Sequence, residues 1–164
     1  MNQRSSWDGI VLIDTNLAIL LCVGMSGREN VAKHKRLSAF DSNDFDLLSD
    51  LLSKSKGLVF SPYVLSETSN LVRQTNGPLK YIVSDILKAL ILAGGEIQSE
   101  CARIVNDSAY QRLGMTDAAL LSILKDHPNL VLLTDDFDLY GTASKLGHEV
   151  INFSHIRAQR PDFQ

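Results

Sequence analysis

Short apolar runs that close on turn or capping residues constrain this chain more than any other feature. Ile10–Ile13 ends at Asp14, the run at 58–60 ends at Ser61-Pro62, and the run at 130–133 ends at Thr134-Asp135-Asp136. Continuous apolar stretches of this length, rich in branched residues, suit strands buried on both faces, as in a parallel sheet. Between them lie segments of helical period. One is predicted over 16–23 and a second to about residue 54, capped by Asn43 or Asp44, with Phe45, Leu48, Leu51 and Leu52 on its apolar side. Ser61-Pro62 starts a third, to about Arg73. After Asn76-Gly77-Pro78 a fourth covers Leu79–Ala93, and Gly94-Gly95 ends it. Gly24 and Gly27 punctuate a loop. Residues 96–105 fit a short strand or a helix, and 107–113 read as helical. Thr116 is the expected cap of a helix that His127-Pro128 stops. A helix at 140–146 and a last strand at 149–153 complete the chain. Alternation of this kind predicts a three-layer α/β/α sandwich around a central, mainly parallel sheet.

With 164 residues and 45% apolar content, the chain fits a single domain over residues 1–164 and needs no second core. The apolar run at 17–23 is too short to cross a bilayer, and no signal-peptide pattern opens the sequence, so the expectation is a cytoplasmic protein without a membrane partner. Cys22 and Cys101 are far apart and in apolar contexts, which suits reduced, structural thiols rather than a metal pair. The net charge of −3 offers no global attraction to nucleic acid and leaves that work to local basic patches. Trp7, Phe40, Phe45, Tyr63 and Tyr140 read as packing residues rather than stacking platforms.

Several acids stand where acids are costly. Asp14 and the group Asp135 to Asp138 directly follow buried strands, and open parallel sheets place ligand sites beyond those strand ends. Glu67 is three residues after Val64 and four before Leu71, on the stripe expected to pack inward. Asp117 stands three and four residues before Leu120 and Leu121, in a first helical turn where the helix dipole favours an anion. Singly, each such acid is most simply a cap or turn residue. Together, Asp14, Glu67, Asp117, Asp136 and Asp138 offer only oxygen ligands, without a nearby His-Cys set, which suits a hard cation such as Mg²⁺ or Mn²⁺.

Asp-Thr-Asn after the first strand, a helical Glu, Thr-Asp-Ala at a later helix start and Leu-Thr-x-Asp-x-Asp after another strand resemble the PIN-domain ribonucleases. The ordered set spans residues 11 to about 153. The resemblance maps the family's four acidic positions onto Asp14, Glu67, Asp117 and Asp136, and an additional acid onto Asp138. Asn16 and Thr134 match polar positions that support the ligands. Asp135 is the secondary candidate, because the Thr-x-Asp spacing selects Asp136. The long stretch between Gly24 and Asp50 departs from compact members of the family. Its Lys33-His34-Lys35-Arg36 fits either a guide for an RNA backbone or a solvated basic loop.

What the resemblance implies is a Mg²⁺- or Mn²⁺-dependent endoribonuclease: the toxin of a toxin–antitoxin pair, or a defence or stress nuclease, with an antitoxin or inhibitory protein as partner. A homodimer is also implied, and the stripe Ile82, Ile86, Leu87, Leu90 and Ile91 suits either a core or an interface. Two other classes compete. A phosphotransfer module of the receiver or haloacid-dehalogenase kind also sets aspartates at strand ends, but Asp14-Thr15-Asn16 lacks the second aspartate of a dehalogenase, and no motif supplies a receiver's late lysine, although Lys125 and Lys145 exist. The third class is an inactive module that binds RNA or protein.

Overall fold

The computed structural model describes residues 9–163; Trp7, expected to pack, lies outside them. Five strands, β1 (Ile10–Ile13), β2 (Gly57–Phe60), β3 (Gly95–Glu96), β4 (Leu130–Thr134) and β5 (Val150–Asn152), pair in parallel throughout, in the order β3-β2-β1-β4-β5. Helices flank this sheet in a three-layer α/β/α sandwich. Every residue of β4 is buried, and so are Val11, Leu12 and Ile13 of β1, as their unbroken apolar character requires. The winding steps outward from β1 in both directions, so strand order reverses between β1 and β4. Ligands of open parallel sheets bind at that reversal, beyond the carboxyl ends of the strands.

Nine α-helices lie among the described residues: α1 (Thr15–Met25), α2 (Ser42–Ser53), α3 (Pro62–Val72), α4 (Leu79–Ala93), α5 (Cys101–Val105), α6 (Tyr110–Leu113), α7 (Met115–Asp126), α8 (Phe137–Lys145) and α9 (Phe153–Arg157). Helix α1 is apolar nearly all round and correspondingly buried, packed against α2, α3 and α4. One main core joins its side chains to the sheet, and a small second cluster lies around Ile104, Ala118 and Ala119. No helix among the described residues is long and apolar enough to cross a membrane.

Local chemistry moves several expected boundaries. Gly24 lies inside α1 rather than in a loop, and the Phe45 ring of α2 fills the space a side chain there would need. Asp41, not Asn43 or Asp44, caps α2: its carboxylate accepts the Asp44 amide at 2.9 Å while the Asp44 carboxylate accepts the Asp41 amide at 2.9 Å, a reciprocal capping box. The ambiguous stretch after Gly94 holds both alternatives, the edge strand β3 and then α5. Strand β5 stops at Asn152, whose side chain accepts the His155 amide and starts α9.

Candidate functional site

The carboxyl ends of β1 and β4 stand side by side, with Ile13 opposite Leu133 and the Asp14 amide donating to the Leu133 carbonyl at 3.2 Å. Three helices of eleven, twelve and nine residues begin around this edge: α1 after Asp14, α7 after Gly114 and α8 after Asp136. Their free amide groups favour negative charge there.

Asp14 is buried and held from three directions. One oxygen accepts the Leu17 amide at 3.0 Å and caps α1, while the other accepts the Asp135 amide at 3.1 Å and the Thr134 hydroxyl. The Thr134 hydroxyl in turn accepts the Asp136 amide at 3.0 Å, so one buried side chain ties the two strand-end acids together. Asp136 caps α8 by accepting the Leu139 amide at 2.8 Å. Asn16 donates to Asp135 at 3.3 Å. Across the hollow, the Thr116 hydroxyl donates to Glu67 at 2.8 Å. Thr116 is therefore not the cap of α7; it stands within the first turn and orients the glutamate.

Asp14, Thr15, Asn16, Glu67, Asp117 and Asp136 line one hollow of about 150 Å³. Burial, and then the charge of Asp135, push the Asp14 carboxyl up to about 8, against the pull of its hydrogen bonds. Burial followed by Asp136, Glu67 and Asp135 raises Asp117 to about 6. Asp135 is raised as well, chiefly by burial. The Thr15 hydroxyl is buried at the same place and finds no partner among the described residues. An oxygen donor of that kind, beside four carboxylates, fits a hard cation better than any nitrogen or sulfur ligand set. The carboxylates share the hollow without closing on it: among the described residues, no three His, Cys, Asp or Glu side chains form a ready coordination shell.

Some expected site residues fall elsewhere. Glu67 is exposed rather than inward, since Val64 takes the buried position of its stripe and the glutamate reaches the rim of the hollow. Asp138 does not reach the hollow; it points outward from the first turn of α8, 4.0 Å from Arg112. His34 is buried, its Nε2 against the Val72 carbonyl at 3.1 Å and its Nδ1 accepting the Arg36 amide at 3.3 Å, so it anchors its loop instead of facing a phosphate. Lys33 and Lys35, which are exposed, line a groove of about 560 Å³ with Arg73 at the end of α3. That groove shares no lining residue with the hollow; its Arg73 lies six residues, roughly 9 Å of helix, beyond Glu67. Arg36 is exposed on the same loop.

Of two further contributors, one has no sequence signature and the other ranked second to its neighbour. Thr15 carries no signal beyond its place between Asp14 and Asn16. Asp135 did carry one, the Asp-Asp doublet, but motif spacing favoured its neighbour; in the fold Asp135 is the group that loads Asp14 electrostatically. The chain matches no protein-family model and no characterised protein with which it was compared.

Proposed function

We propose that this chain is a metal-dependent endoribonuclease of PIN-like design, hydrolysing RNA phosphodiester bonds at the hollow between β1 and β4. The observation that carries the reading is Asp14, a buried carboxylate held rigidly by three hydrogen bonds yet pushed up to about 8, facing Glu67, Asp117 and Asp136 across one small hollow. A fold that only needed to cap α1 and α8 would not gather four acids there, because each raises the cost of ionising the others. Asp14, Asp117 and Asp136 would hold Mg²⁺ or Mn²⁺, with the Thr15 hydroxyl beside them.

Such an ion supplies an acidified water and neutralises charge on the scissile phosphate. The protein's own part is positional. Thr134 fixes Asp14 and the Asp136 backbone relative to each other, and Asn16 steadies Asp135. Glu67, exposed and oriented by Thr116, is placed to accept a proton from an attacking water or to hold that water in line. A role as a toxin or as a defence or stress nuclease, an antitoxin or inhibitory partner, and a homodimer accompany this reading as proposals on the resemblance alone. A phosphotransfer role fits less well. A receiver or dehalogenase also needs a second aspartate or a free lysine beside the acceptor, and position 16 is an asparagine that donates to Asp135. Lys125 is paired with Asp107.

The test is purified protein on mixed single-stranded RNA with Mg²⁺, Mn²⁺ or a chelator. Cleavage is expected only with metal and is expected to fall at least about a hundredfold in Asp14→Asn and Asp117→Asn. Full activity in either variant, or in chelator, overturns the assignment.

A further inference from the structure

One aromatic ring beside the hollow is left unused by the core. Phe137 follows Asp136, opens α8 and is 63% exposed. Among the described residues the other exposed rings are placed differently: Tyr81 stands on α4, and Phe163 is faced by the guanidinium groups of Arg157 and Arg160 at 5.0 and 5.8 Å. Phe137 is also braced. Its ring centroid is 5.8 Å from that of His155, and Tyr140 meets His155 edge-on at 5.4 Å, so the ring is supported on one side and open on the other.

The same phenylalanine lines a groove of about 540 Å³ with Arg112, Asp138, Thr142 and Lys145. Thr142 receives a hydrogen bond from Arg112 at 2.6 Å. Asp138 partly offsets Arg112, at 4.0 Å, whereas Lys145 has no ion-pair partner among the described residues. A preset aromatic face flanked by cations, one residue from an acid of the hollow, is the arrangement that receives an unstacked nucleobase and its phosphate.

We propose that this groove seats an unpaired nucleotide next to the phosphate held at the acids, its base stacked on Phe137 and its own phosphate turned toward Lys145 and Arg112. The substrate class is therefore single-stranded nucleic acid, since a base inside a duplex has both faces covered by its neighbours. This inference rests on the nuclease reading for its place beside the reacting phosphate.

The probe is a single-stranded RNA oligonucleotide carrying 2-aminopurine, titrated with protein in chelator, both as wild type and in the Asp117→Asn background that removes one charge from the hollow. Binding is expected to quench the 2-aminopurine fluorescence through stacking. Phe137→Ala removes the quench and weakens binding roughly 5- to 100-fold, and Phe137→Trp restores both. A duplex of the same sequence shows no quench. Since the Phe137 side chain is mostly solvated, the melting midpoint of Phe137→Ala stays near that of wild type. Unchanged quench and affinity in Phe137→Ala, equal quenching of the duplex, or no binding of the single strand each overturns the inference. The assay needs neither metal nor cleavage. Stacking without metal-dependent cleavage therefore rejects the nuclease reading alone, and cleavage with an indifferent Phe137 rejects the stacking alone.

Discussion

Asp14 is the residue whose environment departs furthest from what its chemistry prefers. Its folded carboxyl is raised from 3.8 to about 8 and that of Asp117 from 3.8 to about 6. A raised folded value means that the fold favours the protonated form. The stability linked to that proton is complete below pH 3.8 and is lost as pH climbs through 6 and then 8. In chelator, the melting midpoint of the wild type is expected to drop across this window. Asp14→Asn keeps an oxygen for the Leu17 amide but turns an NH₂ donor toward the Asp135 amide, so it starts below wild type at low pH, and its melting midpoint should fall less than that of wild type as pH climbs from 3.8 to about 8. The difference between the two proteins isolates Asp14 from His148, whose lowered folded value acts in the opposite direction. Mg²⁺ or Mn²⁺ should raise the wild type at pH 8 and leave Asp14→Asn unmoved. A pH-independent difference between the two melting curves would contradict this account.

At the scale of elements, two glycines inside helices separate packing from propensity. A Cβ added at Gly24 of α1 would run into the Phe45 ring, whereas at Gly141 of α8 nothing lies within 4 Å. Gly24→Ala is expected to destabilise by roughly 1–3 kcal/mol through overpacking, despite alanine's better helix propensity. Gly141→Ala should stabilise by roughly 0.5–1 kcal/mol. Urea denaturation of the two variants checks both signs. The helix starts show how far local chemistry is readable: Ser61-Pro62 marks α3 where expected, and α4 matches its predicted span. Thr116 looked like an equally good cap. Gly114, with φ +84°, turns the chain two residues earlier than a Thr116 cap would require, and the threonine is left for Glu67.

Across the whole molecule, the chain end is fastened to α2 by charge. Asp44 is fully buried and receives the Arg157 guanidinium at 2.9 and 2.8 Å, and Arg160 as well, which also reaches Asp41 and Asp162. Removing one side of a buried pair leaves the other uncompensated. Asp44→Ala, which takes the carboxylate from both guanidinium groups, is expected to cost about 3–5 kcal/mol, or roughly 6–20 °C in melting midpoint. Arg103→Ala, which breaks the solvent-screened pair with Asp126, should leave the melting midpoint close to that of wild type. Equal effects in thermal melts would show that burial does not govern these pairs. The same scale decides the basic loop. His34, in a run that fitted either an RNA guide or a solvated basic loop, is buried and anchors Lys33 and Lys35 near the end of α3, in a groove that shares no residue with the hollow.

The sequence by itself determined four of the five strands, most helices and the parallel sandwich, because unbroken apolar runs, helical spacing and caps act over a few residues; the edge strand β3 has no such run. It also pointed to Asp14, Glu67, Asp117 and Asp136, since an acid at the end of a buried strand or opposite leucines is costly enough to be conspicuous. Only the tertiary structure decided that these four line one hollow, that Thr134 joins Asp14 to Asp136, that Asp138 faces Arg112, and that His34 is buried. Those outcomes depend on strand order and on side chains more than a hundred residues apart in the case of Asp14 and Thr134, or 38 apart for His34 and Val72. No local period encodes such distances; they arise when β4 is laid beside β1 and α3 beside α1, which brings buried polar groups to partners that the chain order keeps far apart.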